Sequence, residues 1–234
     1  MRWLERQNQI EAAVYDVMNE LSDQLSITIP NYPAVWWIGR TVKFQHLSLP
    51  EYLRDELEIR NRQGISYYIV SKQTVIIAKK ATDHAILEEA SHAFHFICSG
   101  ISYKSRNTKN LRCLGIIVEM LGLLGARLVG SDMENPYEDF PDLASLTKES
   151  QVEVKKKILE KLGKDCDFNE FFIHQQGYGL ADRIYFKYLS GEISSLRIRR
   201  MFLSQFLSPD GPIDYFVRLR NEFWPQKLTQ AAKV

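Results

Sequence analysis

The stretch that decides the reading is ATDHAILEEASHAFHFICSG, Ala81–Gly100, which holds three of the chain's five histidines and two adjacent carboxylates. Asp83 suits a helix N-cap and Gly100 a left-handed stop, so the spacing predicts a helix reaching Ile97. At 100° per residue, His84, Glu88, His92 and His95 fall within a stripe about 80° wide, with Ile86, Ala90, Ala93 and Ile97 roughly opposite. Groups four apart on such a face can share one metal ion; the plainer alternative is a polar stripe turned to water.

Working back from this helix, Ser66–Val70 and Thr74–Ala78 are β-branched or aromatic runs separated by Ser71, Lys72 and Gln73, the pattern of a hairpin or of paired edge strands. Earlier, Trp3–Leu25 has apolar residues at helical spacing and Val35–Phe44 suits a strand. Pro50, followed by Glu51, Asp55 and Glu56, predicts a short acidic helix. Working forward, a helix starts at Thr108 or Asn110 and stops at Gly130, and an acidic loop holds Pro136 and Pro141. Helices then follow over Lys148–Leu162, Phe168–Leu189 with Asp167 as cap, Ile193–Leu207 and Ile213–Phe223. The expected fold is α+β: a small antiparallel sheet followed by a mainly helical remainder, in a single domain over 1–234.

Composition narrows the function. Thirty Lys plus Arg against 29 Asp plus Glu leave a formal charge of +1, which gives no global field for a nucleic acid or an anionic membrane. The longest apolar stretch, Leu114–Val129, is interrupted by Glu119 and Arg127 and falls short of the ~20 residues that span a bilayer. The N-terminus lacks the apolar run of a signal peptide, and Cys98, Cys113 and Cys166 are too scattered for a disulfide framework or a cysteine zinc site. These features favour a cytoplasmic protein whose partners are proteins or peptides.

A strand pair, a short loop and a helix reading Glu88-Glu89-Ala90-Ser91-His92 resemble the active-site region of zincin metallopeptidases, with the first histidine of His-Glu-x-x-His replaced by glutamate. The resemblance covers roughly Ser66–Gly130 and implies a zincin-like core at 66–130. It places Glu88 and His92 as metal ligands and Glu89 as general base on a metal-bound water. In the gluzincin branch, including its small one-domain members, a glutamate on a following helix is the third ligand. Glu119 matches that position, since it is the one acid in Leu114–Ala126, with Gly115 and Gly122 on its face. A carboxylate in so apolar a helix needs a partner, either a metal or one of Arg112, Arg127 and His92.

The missing histidine matters chemically. Two anionic ligands and one imidazole would make a bound water less acidic than in a histidine-rich site, so peptide hydrolysis should be impaired. Without a metal, protons or a cationic side chain must offset the crowded carboxylates. The resemblance thus implies a degenerate peptidase site kept as a metal-binding or protein-interaction module. It would hold Zn²⁺, the more oxygen-preferring Mn²⁺, or no metal. The alternative is an active metal-dependent hydrolase using Glu89, and a third reading is an unrelated α+β domain that imitates the motif.

His174, Tyr178 and Asp182 form a second row at spacings of four, with Gly177 and Gly179 permitting close approach. The gluzincin resemblance would give Tyr178 or His174 the task of steadying an oxyanion; the structural alternative is an inter-helix hydrogen-bond network. Glu89-Ala-Ser-His92 also matches the Glu-x-x-His of di-iron bundles, but no second copy occurs. Arg197, Arg199 and Arg200 read as a solvated helix face.

Overall fold

The computed structural model describes residues 2–38, 65–101, 108–162, 167–204 and 211–224. The acidic helix expected at Pro50, the strand beyond residue 38, His46 and Cys166 lie outside them. The described residues form three strands and seven α-helices, an α+β fold, and the chain divides into two compact units. The first comprises Met1–Tyr103, Gly125–Met133 and Ser194–Gln205; the second comprises Lys104–Leu124, Glu134–Ile193 and Phe206–Val234.

The first unit opens with α1, Arg2–Leu25, whose Ile10, Val14, Val17, Met18, Leu21 and Leu25 make one buried stripe. The sheet has β1, Ala34–Ile38; β2, Tyr67–Ile69; and β3, Thr74–Ala78, in the order β1-β3-β2. All five residues of β3 are buried, as a central strand covered on both faces requires. The expected β2–β3 hairpin forms, through a tight turn over Val70–Lys72 and a left-handed Gln73 with φ 46°. The sheet is mixed, however: β1 runs parallel to β3, with Ala34 opposite Thr74. Side-chain alternation marks a strand but not its direction, so the expectation of a wholly antiparallel sheet fails there. Gln7 of α1 docks on β1, donating to the Val35 carbonyl at 2.7 Å and accepting from the Trp37 N–H at 2.7 Å.

Helix α2, Asp83–Ser99, follows β3. Its N-cap is Thr82, one residue before the expected Asp83, with the hydroxyl accepting from the Ala85 N–H at 3.3 Å; Gly100 ends it at φ 63°. Helix α3, Thr108–Leu128, is one unbroken helix, assigned to the second unit up to Leu124 and to the first from Gly125. Gly125 lets α3 meet α2, since a Cβ there would lie 2.5 Å from the Ser91 hydroxyl.

The second unit continues through α4, Lys148–Leu162, and α5, Phe168–Leu189, which is capped by Asp167 as expected. Leu143, Ile158 and Phe171 form a buried cluster with Tyr137, Phe140 and Phe172 packed against it. Helix α6, Ser195–Phe202, belongs to the first unit, and α7, Gly211–Phe223, to the second. Arg220 of α7 pairs with Asp142 and donates to the Gln176 side chain, tying the loop before α4 to α5 and α7. Among the described residues, no helix is long and apolar enough to cross a membrane.

Candidate metal centre

Three of the polar residues on α2, His84, Glu88 and His92, are placed one turn apart by the helical repeat. They do not face open water: His92 is buried, and the side chains of His84 and Glu88 retain 13% and 12% exposure. Glu119 lies midway along α3 with its side chain 20% exposed. Glu88, His92 and Glu119 each offer one ligand atom, and these atoms lie within 4.8 Å of one another. Donors around a tetrahedral zinc, with bonds of about 2.0 to 2.1 Å, sit about 3.4 Å apart. One buried imidazole and two carboxylates fit Zn²⁺ by donor type and Mn²⁺ by oxygen content.

Both carboxylates have a histidine beside them. His84 Nε2 lies 3.3 Å from Glu88 Oε2, within ion-pair distance but without hydrogen-bond alignment, and His84 Nδ1 lies 2.8 Å from the Ser131 hydroxyl. Ser131 is delivered by the exit turn of α3, where Gly130 has φ 94° and Arg127 donates to the Ser131 carbonyl. On α5, His174 Nε2 lies 3.4 Å from Glu119 Oε2. Its Nδ1 lies 2.8 Å from the Glu170 carbonyl, which can only accept, so Nδ1 is the donor there. The Glu119 contact is therefore a salt bridge when the ring carries its second proton.

Gly177 makes the second pair possible. A Cβ at this position would lie 2.7 Å from Glu119 Cβ, 2.9 Å from the Ile116 carbonyl and 3.0 Å from the Met120 nitrogen, so α5 crosses α3 backbone to backbone beside Glu119. Tyr178 is buried, with ring contacts edge-on to His174 at 5.9 Å and to Tyr137 at 5.4 Å. Asp182, the third member of that row, accepts from the Asn135 amide at 2.8 Å.

Other sequence candidates are placed elsewhere. Glu89 is half-buried on α2 and is not one of the three clustered ligands. His95, on the predicted stripe, is fully buried; its Nδ1 donates to the Phe202 carbonyl at 2.8 Å, and burial depresses its pKa to about 4, against the opposing pull of that carbonyl. Ser91 donates to the Leu87 carbonyl at 2.7 Å. Burial pushes the Cys98 thiol up to about 12 and raises that of Cys113. Arg197 and Arg200 are exposed while Ile198, Met201 and Phe202 of the same helix are buried, the pattern of a solvated face.

Sequence reasoning missed Ser131 and Glu170 as partners of the two histidines. Ser131 left no local signal, because its role depends on a contact 47 residues away. Compared with known proteins, the chain matches no family, no curated protein and no solved structure.

Proposed function

We propose that Glu88, His92 and Glu119 hold one divalent metal ion, Zn²⁺ or Mn²⁺, in a zincin-like protein whose peptidase site has been altered. The observation that carries this reading is the approach of the three ligand atoms to within 4.8 Å. The order of elements supports it as well: a hairpin, a helix with two of the ligands, then a helix with the third. A bound ion supplies Lewis acidity, which two anionic ligands reduce, and this favours a metal-binding or protein-interaction module over an active peptidase. Its partner in that role is a protein or peptide.

Metal analysis of the untagged full chain after dialysis against zinc or manganese tests the reading. About one equivalent per chain is expected, lost in Glu119→Ala. A folded chain that takes up neither metal overturns it. Glu88→His restores an imidazole at the first ligand position and is expected to raise zinc affinity, as read by chelator competition.

A further inference from the structure

We infer that the Gln7 side chain plugs the outer edge of β1, and that this edge, once unplugged, is a pairing surface for the β1 of a second copy of this chain.

The sheet order β1-β3-β2 gives β1 a neighbour on one side, and among the described residues no strand pairs with its other side. The Ala34 N–H donates to the Gln73 carbonyl at the start of β3, so Ala34, Trp36 and Ile38 turn their backbone groups to β3 while Val35 and Trp37 turn theirs outward. Outward groups of this kind are a template for another strand. Here a side chain meets them: Gln7 Nε2 donates to the Val35 carbonyl and Gln7 Oε1 accepts from the Trp37 N–H, each at 2.7 Å. One carboxamide thus supplies the donor and the acceptor that a neighbouring strand would present. The helix that carries it is tied to the same segment further along, since the Tyr15 hydroxyl lies 3.1 Å from the Pro33 carbonyl and the Tyr32 hydroxyl donates to the Asn19 side chain.

The two groups that Gln7 engages are complementary to themselves. Let Trp36 of one copy lie opposite Trp36 of another in an antiparallel pair. Each Trp37 N–H then donates to the Val35 carbonyl across a two-fold axis, the pattern that flanks a non-hydrogen-bonded pair. Side chains approach most closely at such a pair, and Trp36 is 37% exposed, which leaves indole surface for the second copy to cover. Gln7 and a second copy therefore compete for the same two atoms. While the carboxamide holds both, the edge offers nothing to an incoming strand.

The test is sedimentation of the full chain together with disulfide crosslinking at position 36. Gln7→Ala is expected to about double the sedimenting mass relative to the parent at the same concentration, with circular dichroism showing the fold retained. Trp36→Cys is expected to give a disulfide between the two copies of position 36, located by peptide mapping, in the Gln7→Ala background and not with Gln7 in place. The Cα separation at such a pair, ~4.5 Å, lies within the disulfide range. Gln7→Met keeps the length of the side chain without the amide, and gives the same readings if the alanine variant loses its fold. A folded Gln7 variant that keeps the parent's mass overturns the inference. Association without a crosslink at position 36 also overturns it, as the mark of non-specific aggregation, and so does crosslinking there while Gln7 is present.

Discussion

His95 and His92 are three residues apart on one helix, yet only His92 joins Glu88 and Glu119 in the group that could hold a metal ion. His95 is enclosed on all sides, and its depressed pKa of about 4 makes the folded state a poor proton acceptor compared with the unfolded chain at about 6.5. Its neutral form is favoured by folding, so its contribution is complete above about pH 6.5, declines as pH falls, and is lost below about pH 4. The unfolded state binds the extra proton throughout that window, and the cost of acidification approaches about 3 kcal/mol. Urea midpoints measured across the window should show this slope, and His95→Asn should flatten it whatever its effect on absolute stability. The angular reading of the sequence could not anticipate this. It gives the direction of a side chain but not what stands opposite, and Phe202 lies 107 residues further along. Glu88, His92 and Glu119 were legible because their local setting is anomalous, two ligands one turn apart and one lone acid in an apolar helix. His84 beside Glu88 was legible on the same stripe, but the approach of His174 to Glu119 was not, since His174 comes from a distant segment.

At the scale of elements, glycine positions separate two kinds of helix contact. At Gly115 the nearest atoms to a Cβ would belong to the side chain of Ile173, at 3.2 Å, and that side chain can shift. At Gly177 it would meet backbone of α3 and the Cβ of Glu119. Gly115→Ala is therefore expected to be neutral or slightly stabilising, because alanine favours helix by up to ~1 kcal/mol. Gly177→Ala should lose about 1 to 3 kcal/mol from overpacking and weaken zinc binding by displacing Glu119. Denaturant melts and zinc titrations of the two variants, side by side, check this contrast. Element boundaries were largely readable from caps and periodicity: α4 matches its expected span, and α5 begins after Asp167 as expected. The direction of β1 was not, since parallel pairing is decided by the path of the intervening chain rather than by the residues of the strand.

At the scale of the whole molecule, a metal that binds only the folded chain adds stability by mass action, about 2.7 kcal/mol when free zinc is a hundredfold above Kd. For a protein of this size that corresponds to a rise in Tm of roughly 5 to 10 °C. Thermal melts with zinc and with chelator should show the rise in the parent and lose it in Glu119→Ala. The α+β class was legible at this scale because hydrophobic periodicity changes from strand-like to helical after Ala78. The division into two units was not, as each unit is assembled from three separated stretches of chain.

Trp224 is flanked by two guanidinium groups, with Arg183 3.9 Å and Arg220 4.9 Å from its ring centre. The other three tryptophans, Trp3, Trp36 and Trp37, all belong to the first unit. The second unit therefore carries a single indole chromophore in a distinctive cationic setting. Subtracting the emission of Trp224→Phe from that of the parent isolates its fluorescence, so the unfolding of the second unit can be followed optically and separately from that of the first.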